Sequence, residues 1–88
     1  MNNNSGSGSL NISYPCKWSY KIIGSDAEEL IAAVEETITN LEYDITPSNI
    51  SSNEKYLSLN VQVLVPSEIM RNIIFQQLSK HPAIKIVI

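Results

Sequence analysis

The chain has 88 residues, one cysteine, and a net charge of −3 from six Lys and Arg against nine Asp and Glu. That length holds one domain at most, and Cys16 alone can form neither an intrachain disulfide nor a cysteine metal cluster, which fits a reducing, cytoplasmic setting. No apolar run approaches the roughly 18 residues that span a bilayer, no signal-peptide pattern opens the chain, and the scattered basic residues predict neither nucleic-acid nor membrane binding.

Residues 1–13, with Asn2, Asn3, Asn4 and the Ser5-Gly6-Ser7-Gly8-Ser9 run, are too polar to join a core and predict a disordered tail ahead of a single domain over 14–88. A domain this small buries only about 60% of its unfolded-chain surface, so it depends on well-patterned elements. Residues 17–23 alternate, with Trp18, Tyr20 and Ile22 on one side and Lys17, Ser19 and Lys21 on the other. That two-residue period predicts a half-buried strand, ended by Gly24. Ser25 followed by Glu28 is a capping-box pattern, and Asp26 and Glu29 add negative charge, so a helix is predicted from Asp26. Its apolar stripe is Ala27, Leu30, Ile31, Val34, Ile38 and Leu41. Glu28, Glu29, Glu35 and Glu36 lie away from the stripe and read as a solvated face rather than a metal site.

Residues 43–50 predict a short strand, confined to an edge because Pro47 has no N–H to donate. Turn-forming residues 51–54 follow, and then 55–65 alternate throughout. Leu57, Leu59, Val61, Val63 and Val65 oppose Tyr56, Ser58, Asn60 and Gln62, as expected of a central strand. Pro66 and Ser67 open a second helix, with Ser67 as N-cap, running to about Lys80 and stopped by Pro82. Met70, Ile74, Phe75 and Leu78, with the stem of Arg71, form its core-facing cluster, and Ile69 and Ile73 lie at its margin. Residues 83–88 predict a final strand. The order βαββαβ predicts an α+β ferredoxin-like sandwich, with a four-stranded antiparallel sheet in the order 4-1-3-2 and both helices on one face.

Three segments carry a resemblance: Tyr14-Pro15-Cys16-Lys17-Trp18, Tyr56-Leu57-Ser58-Leu59-Asn60-Val61, and His81-Pro82-Ala83-Ile84-Lys85-Ile86-Val87-Ile88. Together they make nearly everything after Ser13 similar to the YbeD-like family of small uncharacterised bacterial proteins. The resemblance implies a ferredoxin-like fold similar to ACT regulatory domains and, for some members, a regulatory role connected with lipoate metabolism. It brings no catalytic residues to carry over, and Pro47 departs from the strand-compatible residue the family pattern leads one to expect.

The side chains capable of chemistry have structural explanations. Cys16 beside Pro15 reads as a small, partly buried hydrophobe, since reactive thiols need a cationic or helix-N-terminal setting. His81, after a helix, reads as a cap for its carbonyls, and Trp18 and Tyr20 read as core. An RNA-recognition surface would need aromatics on the open face of strands one and three, where Lys, Ser, Asn and Gln stand. The first loop has neither a Cys-x-x-Cys pair for copper nor an arginine for phosphate. No cofactor and no enzymatic activity are predicted.

Two functions remain. The first is a regulatory or adaptor domain that meets a protein partner, or a second copy of itself, along the last strand: Ile84, Lys85, Ile86, Val87 and Ile88. The second is an ACT-like sensor holding a carboxylate-bearing metabolite at Gly24, Ser25, Asp26 and Ala27. Lys17, Ser19, Lys21, Tyr56, Ser58, Asn60 and Gln62 are further contact candidates on the open sheet face.

Overall fold

Strict alternation builds the centre of the molecule. In the computed structural model, which describes residues 12–48 and 55–88, strands β1 (Cys16–Gly24) and β3 (Leu57–Val65) pair antiparallel over their full lengths, from Cys16 opposite Val65 to Gly24 opposite Leu57. Strand β2 (Tyr43–Pro47) lies on the far side of β3, and β4 (Ile86–Val87) lies beside β1. The sheet order β2-β3-β1-β4 is the expected 4-1-3-2 taken from the other edge. Helix α1 (Ala27–Thr37) joins β1 to β2, and α2 (Glu68–Lys80) joins β3 to β4.

Both helices contact β1 and β3 and pack against each other, so one face of the sheet is covered. Tyr20, Ile22, Val61, Val63 and Val65 point into that layer and meet Leu30, Val34, Ile74 and Leu78, all at most 2% exposed. Burying each such aliphatic side chain contributes about 1.5–3 kcal/mol relative to leaving it in water.

The elements depart from expectation mainly at their ends. The N-cap of α1 is Asp26 rather than Ser25, because the Asp26 carboxylate accepts from the main-chain N–H of Glu28 at 2.8 Å and of Glu29 at 3.2 Å. The helix also stops at Thr37, where Ile38 turns extended (φ −110°, ψ 98°) while remaining buried. Its inward face is therefore Leu30, Ala33 and Val34, with Ile38 beyond the last turn. The small Ala33 faces the core, while Ala27 and Ile31 are exposed. In α2, Ser67 caps as expected, accepting from the Met70 N–H at 3.1 Å, but Phe75 is 42% exposed instead of buried. The last strand shrinks to two residues because Ile84 folds into the core, its N–H donating to the His81 carbonyl at 3.1 Å. Pro47 closes β2 at the sheet edge, opposite Leu59. Residues 49 and 50 of the expected second strand, the turn at 51–54 and most of the expected tail lie outside the described residues.

Candidate functional site

The border where α2 passes over β1 and β4 concentrates the polar chemistry of the fold. Strand register turns Trp18 and Tyr20 toward the helices, and α2 presents Arg71 above them. The guanidinium carbon of Arg71 sits 4.3 Å from the Trp18 ring centroid, within cation–π range. Arg71 Nη1 donates to the Tyr14 hydroxyl at 3.1 Å, and Nη2 lies 3.7 Å from Glu68 Oε2. The Tyr20 hydroxyl donates to the Arg71 carbonyl at 2.6 Å. Burial pushes the Tyr20 phenol up to about 12, against the opposing charge of Arg71 and with a smaller rise from Tyr14. Phe75, one turn after Arg71 in α2, and Ile88, beyond β4, complete a shallow cleft of about 350 Å³ with Trp18, Tyr20 and Arg71.

The sheet edge beside this cleft is distinctive. Strand β4 covers only the upper part of β1: the Lys21 and Ile88 main chains exchange hydrogen bonds at 3.0 and 2.8 Å, and the Lys85 N–H donates to the Ile23 carbonyl at 2.7 Å. Ile86 is 53% exposed and Ile88 66% exposed. Ile86 lies opposite the half-buried Ile23 on the sheet face away from the helices, and Ile88 bonds opposite Lys21 on that same face. Within the expected docking segment, Ile84 is core, Val87 faces the helix layer opposite Ile22, and Lys85, Ile86 and Ile88 remain outward. The Lys85 ammonium lies 5.9 Å from the Tyr56 ring centroid.

The loop expected to hold a metabolite is closely packed. Gly24 is buried, and a Cβ there would lie 2.7 Å from both the Ala83 carbonyl oxygen and Leu30 Cδ2. The helix N–H groups that an incoming carboxylate would need are bonded to Asp26, with Glu28 and Glu29 adding negative charge in the first turn.

On the open sheet face, Lys17, Ser19 and Gln62 are exposed and Lys21, Tyr56 and Asn60 half-buried, whereas Ser58 is only 7% exposed. Ser58 therefore offers no contact surface, and its hydroxyl has no hydrogen-bond partner among the described residues. Lys17 and Lys21 flank Ser19 along β1 and do not converge on one point. Cys16 is half-buried against the core. His81 is engaged on both ring nitrogens: Nδ1 accepts from the Ala83 N–H at 3.1 Å, which leaves Nε2 to donate to Glu36 Oε1 at 2.8 Å. Its ring ties α1 to the end of α2, and as the C-cap of α2 it satisfies a helix carbonyl through its main chain, the His81 N–H donating to the Leu78 carbonyl at 3.1 Å. Among the described residues no group of three or more His, Cys, Asp and Glu could hold a metal ion, and no helix is long and apolar enough to cross a membrane.

Arg71, Tyr14 and Phe75 escaped notice as site residues in the sequence. The available signal was an arginine inside an apolar stripe, four residues before an aromatic, in a chain whose first strand carries Trp18 and Tyr20 on one side.

Two uncharacterized proteins from Helicobacter pylori are similar in sequence. The one from strain J99 is 32% identical over 69 residues and the one from strain 26695 is 36% identical over 74, each match covering 78% of this chain and 80% of the relative. A solution structure of protein HP0495 from Helicobacter pylori superposes with a TM-score of 0.76 at 29% identity, covering 94% of this chain and 91% of that one. A second solution structure of HP0495 gives 0.61 at 28% identity, covering 90% and 92%. With residues 10–88 matching throughout, the chain belongs to the family described as protein of unknown function (DUF493).

Proposed function

We propose that this domain is a non-enzymatic adaptor or regulatory module that works by contacting another protein chain along its β4 border. The observation that carries this reading is the pairing of a two-residue edge strand with two strongly exposed isoleucines, Ile86 and Ile88, beside half-buried Ile23. An exposed edge carries main-chain donors and acceptors that a partner strand can satisfy, and apolar side chains beside it add non-directional attraction. Lys85 is the one charge within the 84–88 stretch, a weak guard against such pairing. The metabolite-sensor reading has no comparable support, since its loop is filled and its helix N–H groups are capped.

The test is an Ile86→Lys, Ile88→Lys double variant, shown by circular dichroism to keep its fold. Light scattering and affinity recovery from the native host should show the variant losing the associated chain that the wild-type domain retains. An identical mass and an identical set of recovered proteins would defeat the reading.

A further inference from the structure

The ladder pattern of β1 defines a more specific acceptor. Lys21 and Ile23 direct main-chain groups toward β4, so by the two-residue period Ile22 and Tyr20 direct theirs toward β3, and Ser19 and Lys17 direct theirs to the β4 side again. Beside Ser19 and Lys17 there is no β4 pairing. Among the described residues, two N–H groups and two carbonyls at these exposed positions have no ladder partner, in a strand whose opposite edge is fully paired to β3. The cleft of Trp18, Tyr20, Arg71, Phe75 and Ile88 opens at this same stretch of edge.

We infer that the free Lys17–Ser19 edge of β1 receives an extended acidic and apolar peptide segment of a partner protein, added as a strand in line with β4; this rests on the protein-contact reading above. The pleat dictates the recognition pattern. A guest residue opposite Trp18 points to the helix side, toward the Trp18–Arg71 pair and Phe75, and an apolar side chain fits there. A guest residue opposite Ser19 points to the open face, diagonal to both Lys17 and Lys21. Neither lysine has an ion-pair partner within 4.0 Å among the described residues, so Asp or Glu is the complementary choice. The partial exposure of Phe75 follows from the same geometry: it overhangs a stretch of β1 that β4 does not reach.

A second copy of this chain fits less well. Pairing β1 with its own symmetry mate about Trp18 would set Ser19 opposite Lys17 of the other copy and crowd lysines from both strands together. It would also bring Pro15 of the other copy against Lys21, whose outer side is already bonded to Ile88. Charge and register both favour a foreign, acidic strand.

The experiment uses the full isotope-labelled chain and three synthetic seven-residue peptides. One alternates glutamate with valine and leucine, the second is the same peptide N-methylated at the backbone positions that would face β1, and the third replaces glutamate with lysine. The first peptide should slow hydrogen exchange at the Lys17 and Ser19 amides and shift the Trp18 indole resonance. Removing two net backbone hydrogen bonds by N-methylation should weaken binding about tenfold or more, and the lysine peptide should bind more weakly than the glutamate one. Phe75→Ser, an exposed position whose change spares the core, should weaken the first peptide as well. Equal binding of the N-methylated peptide, unprotected Lys17 and Ser19 amides at millimolar peptide, or these amides already protected in a peptide-free dimer would each overturn the inference. If the Ile86→Lys, Ile88→Lys variant still loses its partner while Lys17 and Ser19 stay unprotected, this inference fails and the protein-contact reading stands.

Discussion

Tyr20→Phe isolates one hydroxyl whose energetic role changes sign with pH. In the wild type this hydroxyl, on a residue only 2% exposed, donates to the Arg71 carbonyl at 2.6 Å. At pH 8 the variant should be less stable by about 1 kcal/mol, the net worth of one buried hydrogen bond. The native phenol has its pKa raised to about 12 from 10.0, chiefly by burial. A group whose native pKa is raised contributes stability that is fully present below its unfolded pKa and is lost as pH climbs through the native one. Between pH 10 and 12, unfolding therefore releases a proton from Tyr20, and the wild type should lose about 1.4 kcal/mol per pH unit from this group. Phenylalanine has no proton to release, and all other titrating groups are common to both proteins and cancel in the comparison. The two stabilities, measured by urea unfolding at pH 8, 10 and 11, should converge and meet near pH 11. Parallel curves across that range, or a variant as stable as wild type at pH 8, would refute the assignment of a buried, proton-retaining Tyr20.

Two further substitutions test the first strand-to-helix loop. Gly24→Ala should destabilise the domain by about 1–3 kcal/mol through overpacking, because the new methyl meets the Ala83 carbonyl at 2.7 Å and backbone cannot yield as a side-chain tip can; a melting temperature unchanged or raised would contradict the packing. Asp26→Ala should cost about 1 kcal/mol as the loss of an N-cap, while Ser25→Ala should stay within about 0.5 kcal/mol as an ordinary surface change; urea unfolding that ranked Ser25 above Asp26 would restore the capping box expected from sequence.

Periodicity alone makes the architecture legible in the sequence. Alternation over residues 17–23 and 55–65 located both central strands and their buried sides, and Pro47 identified the edge strand, because these signals reflect a face that must be buried and a donor that is missing. Element ends were less legible. Ser25 and Asp26 are both competent caps, and the choice between them is made by the turn out of β1, with Gly24 pressed against Ala83 and Leu30. Phe75 reads as core by helical spacing alone, but burial needs something beneath it, and the shortness of β4 removes that support. Similarly, Ile84 belongs to a β-rich run yet turns inward, because the chain leaving His81 must cross from α2 to the sheet before it can pair.

The candidate site was illegible for a related reason. Its parts are an arginine on α2, aromatics on β1 and main-chain groups of β1 that have no ladder partner among the described residues, and an unpaired N–H has no sequence signature. What sequence does supply is the alternation of Lys17, Ser19 and Lys21 against Trp18 and Tyr20. Once register assigns those two sets to opposite faces, the same strand that builds half the core also presents a charged side and an aromatic side to whatever lies along its edge. Recognition placed on the border of a core strand borrows rigidity that a loop site would lack. Under the proposed edge docking, the stiffness of the β1–β3 ladder is itself a functional property. A substitution that loosens it at the protein's centre, such as Val61→Ala, should raise hydrogen exchange at Trp18 and Tyr20, whose main-chain groups face β3, and weaken docking at the edge without touching any contact residue.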